Sequence, residues 1–339
     1  MEFTVNLKDA KSRVIIEKGC SDHLKDYHDF SGKVMIISDG NIPISLKEKI
    51  LSQFENAILV EVSEGEVSKS FDTYQMLMTK LLELGFSRKD TIVALGGGVI
   101  GDLSGFVAST YKRGCHFVSI PTTTLSQIDS SIGGKVAINH NGIKNCIGNF
   151  YHPEVVFVDV NTLKTLSKRH FYNGLVEALK AGCIQDPVIF NLFKEHVDEL
   201  DVESPYLEEI ITRSLLMKKR VVEEDEKEQN IRKILNFGHT IGHAIESYYH
   251  LHDYYHGECV ANGMIFIEEN EEIKKDLISI LNKMNIPFVK EFDEDALIEF
   301  MKNDKKASGN KIDIVLVDTL GEAYLKKVSI DELRKYLRG

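Results

Sequence analysis

Five short β-branched runs in the first 160 residues limit what this chain can fold into more than any other feature. They are KVMIISD at 33–39, NAILVEV at 56–62, TIVALGG at 91–97, HFVSIPT at 116–122 and EVVFVDV at 154–160. Each has strand length, and stretches of helical periodicity lie between them, such as SFDTYQMLMTKLLELG at 70–85, which ends on Gly85. Strands separated by helices predict right-handed βαβ units and a largely parallel sheet with helices on its faces. The opening MEFTVNLKDA is polar and alternating, so it reads as a further strand rather than a signal peptide.

After about residue 160 the texture changes. Long Leu-, Glu- and Lys-rich stretches cover 168–199, 205–229 and 236–249, and β-branched runs are sparse until KIDIVLVDTLG at 311–321. The 339 residues therefore divide into an α/β domain over 1–165 and a mainly helical domain over 166–339, with the cleft between them as the expected site. The charge run VVEEDEKEQN at 221–230 reads as a solvated helix end. A net charge of −11 argues against nucleic acid or an anionic membrane as the main partner. Five scattered cysteines without CxxC spacing fit reduced thiols, and no run reaches the ~18 apolar residues of a membrane span. The expectation is a soluble, cytoplasmic protein.

LGGGVIGDLSGF at 95–106 holds Gly96-x-Gly98-x-x-Gly101 between a predicted strand and a predicted helix. Glycines there let a backbone approach a pyrophosphate at a helix N-terminus, although an ordinary tight turn can look the same. The usual dinucleotide pattern places an acid ~20 residues downstream. Here there is no Asp or Glu between Leu103 and Ile128, so ribose acids would come from earlier strand ends, Asp39 and Glu66.

PTTTLSQIDSSIGGKVAINHNGIKN at 121–145 gathers Thr122, Thr123, Asp129, Lys135, Lys144 and Asn145 among small residues. It reads either as a phosphate or polyol pocket or as a polar surface loop. GLVEALKAG places Glu177 and Lys180 three apart on one helical face amid apolar neighbours, which favours a buried pair over a surface one. His239 and His243, four apart, also share a face, as in the first and last positions of HExxH, but Thr240 stands where that motif has its glutamate. His239, His243 and His256 can each be read as ordinary histidines or as metal ligands. A carboxylate such as Glu177 would complete a three-ligand, open zinc site. Lys218 and Arg232 would add cationic anchors for an anionic substrate.

From here the sequence resembles a known family. SDGN, EGEVSK, GGGVIGD, YKRG, PTTTLSQIDSSIGGK, KNCIGNFYHP, GLVEALKAG, RKILNFGHTIGHAIE, HGECVANGM and NDKK occur in order through nearly the whole chain. Together they are similar to the motifs of the 3-dehydroquinate synthase family of sugar phosphate cyclases. The resemblance implies a Rossmann-like, NAD-binding α/β N-terminal domain, a mainly α-helical metal-binding C-terminal domain and a homodimer. It implies conversion of 3-deoxy-D-arabino-heptulosonate 7-phosphate to 3-dehydroquinate and phosphate, a step of the shikimate pathway. The course is transient oxidation by NAD, phosphate elimination, reduction, ring opening and aldol closure.

The resemblance assigns zinc, with Co2+ as a substitute, to Glu177, His239 and His256. It assigns NAD to Asp39, Asn41, Glu64, Gly65, Glu66, Val67, Ser68, Lys69, Gly98, Val99, Ile100, Gly101, Asp102, Thr122, Thr123, Lys135, Lys144, Thr162, Leu163, Lys164 and Thr165. Substrate and catalytic roles fall on Asp129, Lys135, Asn145, Lys180, Lys218, Arg232, Asn236, His243, Lys305 and Lys306. Arg113 matches an arginine that reaches the neighbouring subunit's site. His243 is thereby a catalytic neighbour of the metal rather than a ligand. Two departures are Ile143, where the family usually has Gly, and Thr124, often aliphatic. The rival readings are another NAD- and zinc-dependent sugar-phosphate cyclase, a metal-dependent polyol dehydrogenase, and a non-catalytic NAD-binding protein.

Overall fold

A computed structural model describes residues 1–249, 253–304 and 311–338. The chain divides into two compact units, Met1–Leu166 and Ser167–Gly339. The first is built on a seven-stranded sheet. Its strands are β1 (Glu2–Asn6), β2 (Lys11–Ile16), β3 (Val34–Asp39), β4 (Ala57–Val62), β5 (Thr91–Gly96), β6 (His116–Pro121) and β9 (Val155–Val158). Across the sheet they run β1-β2-β9-β6-β5-β3-β4, all parallel except the β1–β2 pair.

Every residue of β3 and β5 is buried, and alternate side chains enter different cores. Met35, Ile37, Ile92 and Ala94 pack with Leu77, Leu81, Leu103 and Val107. Ile36, Val93 and Leu95 pack with Leu24, Ile50 and Phe157. A strand covered on both faces needs apolar residues at consecutive positions, which is why these runs stand out in the sequence. The run at 154–160 stops short as a strand. Asp159 turns the chain there, accepting from the amides of Gly19 and Asn161 at 2.9 Å each and from the Ser21 hydroxyl.

A two-stranded hairpin, β7 (Lys135–His140) and β8 (Ile143–Phe150), was not among the predicted strands. β8 is exposed along nearly its whole length and so lacks an apolar face. The turn itself was readable: Asn141 and Gly142 form a two-residue loop with φ of 50° and 76°, the Asn-Gly signature of a tight hairpin.

The second unit is mainly helical, with helices Lys168–Ile184, Pro187–His196, Leu207–Glu224, His239–Tyr248, His256–Ile267, Glu271–Lys283, Glu294–Asp304 and Ile330–Leu337. The stretch at 168–199 breaks because Asp186 caps a new helix at the Val188 amide, with Pro187 in its first turn. The predicted strand near 311 is β10 (Lys311–Val317), and a return strand, β11 (Ala323–Ser329), pairs with it. Among the described residues no helix is long and apolar enough to cross a membrane.

Two details of this unit position its site. The Lys168–Ile184 helix is buried continuously from Asn173 to Ile184, so Glu177 and Lys180 cannot reach bulk water. The His239–Tyr248 and His256–Ile267 helices also cross at very short range. A Cβ at Gly263 would lie 1.9 Å from the Gly238 carbonyl oxygen, and one at Gly242 would lie 3.0 Å from the Cys259 oxygen. Only glycine permits that approach, and it brings three histidines from two helices together.

Candidate active site

In the second unit one ring nitrogen from each of His239, His243 and His256 lies within 4.8 Å of the other two. Glu177 faces them, with its Oε1 at 3.8 Å from His239 Nε2 and 3.6 Å from His256 Nε2. Its other oxygen, Oε2, accepts from Lys180 Nζ. Both residues are 3% exposed. Asn173, one turn before Glu177, accepts from the amides of Gly257 (2.7 Å) and Glu258 (3.3 Å). Arg169 clasps the Glu258 carboxylate with two N–H groups at 2.7 and 2.8 Å. These contacts lock the start of the His256 helix onto the helix that carries Glu177.

The charges are set by the same geometry. Burial opposes ionisation of Glu177, but Lys180, His239 and His256 outweigh it and hold its carboxyl well below the usual range. Burial, reinforced by Lys180, pushes His239 well below its ordinary value, so it is the neutral form that can ligate. Burial would lower His256 as well, yet Glu177 and Glu246 raise it to about 10, a field that attracts a cation.

These residues fit a metal ion. Glu177 Oε1 is buried and has no hydrogen-bond partner. Such an atom is costly unless something electropositive faces it. A tetrahedral zinc with ligands at about 2.0–2.1 Å spaces its donors roughly 3.3 Å apart, close to the 3.8 and 3.6 Å from Glu177 Oε1 to His239 and His256. His239 Nδ1 is 3.1 Å from the Phe237 carbonyl, which turns Nε2 toward Glu177.

Lys218, Arg232 and Asn236 lie on elements packed against the Glu177 helix. Lys218 and Arg232 are buried, on the Leu207–Glu224 helix and the Ile231–Asn236 turn. The run at 221–230 is only partly a solvated helix end. Asp225 is buried and accepts from the amides of Gln229 (2.9 Å), Asn230 (2.6 Å) and Arg232 (3.1 Å), shaping the loop before Arg232. Arg232 Nη1 donates to the Glu226 carbonyl, and Asn236 Nδ2 donates to Glu228 Oε1 at 2.9 Å. Lys305 and Lys306 lie outside the described residues.

In the first unit most of the residues predicted for NAD follow the carboxyl ends of β3, β4, β5 and β6, whereas Lys135 and Lys144 lie on the β7–β8 hairpin and Thr162 to Thr165 follow β9. Gly97 starts the Gly98–Thr110 helix, and no side chain caps it, so its first amides are open to an anion. The Thr122 hydroxyl is buried without a hydrogen-bond partner. Buried Asp39 holds the Asn41 amide at 2.9 Å, and burial, with Glu64 beside it, raises its carboxyl above the ordinary range. Buried Lys69 donates to Asp102 at 2.7 Å and to Asn145, and lies 3.5 Å from Glu66. This ties the 64–69 segment, the glycine-turn helix and the β7–β8 hairpin together. These features fit a dinucleotide.

Not every predicted contact faces outward. Leu163 is fully buried, and the Thr162 hydroxyl is engaged with Asp159, Pro121 and Gln127. Lys164 and Thr165 are exposed, as are Val67, Lys135 and Lys144. Asp129 sits half-buried in the Ser126–Ser130 turn. Arg113 is exposed at φ 68°, beside Lys112 at 49°. Of the two departures, Ile143 is exposed at the start of β8 and Thr124 is fully buried.

The family model for the N-terminal part of 3-dehydroquinate synthase matches residues 59–173, and that for the C-terminal part matches 174–307. The chain belongs to the 3-dehydroquinate synthase family. The 3-dehydroquinate synthase of Clostridium beijerinckii is 39% identical over 346 residues, covering 97% of this chain and 99% of that protein. That of Thermoanaerobacter pseudethanolicus is 39% identical over 357 residues, covering 100% of both. Among solved structures, 2-deoxy-scyllo-inosose synthase complexed with carbaglucose-6-phosphate, NAD+ and Co2+ is similar at a TM-score of 0.88 and 26% identity, over 100% of this chain and 99% of that one. A probable glycerol dehydrogenase from Sinorhizobium meliloti shares the fold at a TM-score of 0.69 and 17% identity, over 96% and 95%.

For a 3-dehydroquinate synthase family member, the sequence reading missed three acids. Glu246 lies 3.3 Å from His256 Nδ1, Glu228 holds Asn236, and Asp225 organises the loop between them. Glu246 had a signal, since it falls three residues after His243 on the same helical face. Glu228 and Asp225 were hidden inside a charge run.

Proposed function

We propose that this chain converts 3-deoxy-D-arabino-heptulosonate 7-phosphate to 3-dehydroquinate and phosphate, with NAD bound by the N-terminal unit and zinc by the C-terminal unit. The observation that carries this reading is Glu177: a buried carboxylate with one oxygen on Lys180 and the other, which has no hydrogen-bond partner, facing His239 and His256. When bound, NAD supplies a hydride acceptor that returns the hydride later in the turnover, and zinc, or Co2+ in its place, supplies a Lewis acid. Glu177, His239 and His256 would hold the metal.

The remaining work belongs to side chains. Lys218 and Arg232 bind the substrate carboxylate, and Lys135 and Asn145 bind its phosphate. Anchored at both ends, the substrate keeps its reacting carbons in place through oxidation, phosphate elimination, reduction, ring opening and aldol closure. His243 takes the proton of the reacting hydroxyl on a ring nitrogen, and Lys180 Nζ and Asn236 orient the neighbouring hydroxyls. Asp129, Lys305 and Lys306 complete the substrate set. The chain acts as a cytoplasmic homodimer in which Arg113 reaches the neighbouring subunit's phosphate site.

The test supplies the heptulosonate phosphate with zinc and substoichiometric NAD and follows phosphate release. Stoichiometric phosphate without net NADH supports the reading. Net NADH would instead make the chain a dehydrogenase. Release from glucose 6-phosphate or sedoheptulose 7-phosphate, but not from the heptulosonate, would make it a different cyclase.

A further inference from the structure

We infer that Glu246 is a positioning residue for the metal: its carboxylate holds His256 Nδ1–H, so that His256 presents Nε2 toward Glu177 as a ligand. The inference rests on the metal reading above and adds a residue outside the proposed ligand set. His256 opens its helix, and its two ring nitrogens meet two different carboxylates. Nδ1 lies 3.3 Å from Glu246 Oε2, and Nε2 lies 3.6 Å from Glu177 Oε1. The Glu246 side chain is 14% exposed, so water screens this contact weakly.

An imidazole that ligates through one nitrogen carries its proton on the other, and the acceptor there decides the tautomer. His239 and His256 solve that problem differently. The acceptor for His239 is a neutral backbone carbonyl, that of Phe237 at 3.1 Å. The acceptor for His256 is an anion. A carboxylate behind the ring makes the facing nitrogen a stronger donor and adds negative charge near a dication. It is also placed to do so: residues 239, 243 and 246 share one face of the His239–Tyr248 helix, and the close crossing at Gly242 and Gly263 brings that face to His256. Glu246 therefore acts through His256 and does not itself hold the ion.

The test measures zinc affinity with a competing chelator in the full-length protein, with Glu246→Gln, Glu246→Ala, His256→Ala and His239→Ala in parallel. Glu246→Gln keeps shape and an acceptor but loses the charge, and is expected to weaken zinc about 10-fold. Glu246→Ala loses both and is expected to reach about 100-fold. The visible absorption of the Co2+-loaded protein should shift in both variants, while the chelator-treated Glu246→Gln protein still unfolds in one cooperative transition, which separates lost affinity from lost fold. Affinities within twofold of the parent in both variants overturn the inference. Loss of zinc by Glu246→Ala as complete as that of His256→Ala also overturns it, because Glu246 would then be a ligand. If His239→Ala retains the parent's zinc affinity, the metal reading itself has failed, which separates the two failures.

Discussion

In the N-terminal unit the candidate cofactor residues sit on strand ends and turns, and much of the surface they offer is backbone: open amides after Gly97, glycines at 96, 98 and 101, and a buried hydroxyl at Thr122. In the C-terminal unit the candidate metal residues are ionisable side chains on helices: Glu177 is buried and paired with buried Lys180, both at 3% exposure, and His239 and His256 are half-buried against it. The first arrangement costs the fold less, because beside its glycines and strand ends only Asp39 and the paired Lys69 are charges taken out of water. The second takes charges out of water, and each partner holds the others in place. Changes in the C-terminal unit should therefore move stability and chemistry together, whereas in the N-terminal unit they should come apart.

The largest effect is expected at the histidines. His239→Ala should strip the purified protein of metal, whereas His243→Ala should keep metal and lose turnover, as metal analysis beside a phosphate-release assay would show. All three rings share one 4.8 Å cluster, so equal metal loss in both variants would move His243 into the ligand set. Next comes Glu177→Ala, which leaves Lys180 buried without its carboxylate. Removing one partner of a buried pair costs about 3–5 kcal/mol. Urea unfolding of the chelator-treated protein should show that loss, and Glu177→Ala combined with Lys180→Met should recover part of it. If the single variant unfolds at the parent's midpoint, the C-terminal site is no costlier to the fold than the N-terminal one, and the comparison fails.

The same contrast decides what could be read from sequence. β3 and β5 are buried on both faces, so their residues form unbroken apolar runs, and the parallel sheet follows from them. β8 is exposed, so nothing but Asn141-Gly142 signalled its hairpin. Glu177 and Lys180 were legible because both lie on one helix, where spacing fixes the face. Glu246 was legible only as sharing a face with His243; its partner could not be read, because His256 comes from another helix and the approach depends on Gly242 and Gly263. Asp225 was read as solvated because its neighbours are charged, and no local pattern distinguishes a carboxylate that accepts three backbone amides from one that meets water.

The C-terminal unit also buries a carboxylate outside the site. Glu268 is 3% exposed, its Oε2 has no hydrogen-bond partner, and burial, helped by Asp318 and against the Asn270 amide, raises its pKa from 4.5 to about 7. Between those values the folded chain keeps a proton that the unfolded chain has released. Stability should therefore fall as pH rises from about 4.5 to about 7 and level off above. The loss is at most about 3 kcal/mol. Glu268→Gln should flatten that slope and stabilise the protein at pH 8 by a similar amount. An unchanged urea midpoint at pH 8 would mean that this unit accommodates a buried charge without cost.

The smallest effect tests the N-terminal half of the comparison most directly. Gly101 lies in the first turns of the Gly98–Thr110 helix, and a Cβ there would meet nothing within 4 Å. Packing therefore gives no reason for glycine, and alanine is the better helix former by about 0.5–1 kcal/mol. By contrast, a Cβ on Gly98 would crowd Ser130 Oγ at 3.0 Å, so a change there mixes folding with binding. Gly101→Ala should raise the unfolding midpoint of the NAD-free protein slightly. If the space at Gly101 belongs to the dinucleotide, the same change should weaken NAD binding by about tenfold, or ~1.4 kcal/mol. Calorimetric titration with NAD and urea unfolding of one variant would read both signs. A gain in stability with NAD affinity intact would show that this glycine is not held open for the ligand, and the dinucleotide would then approach the turn from another side.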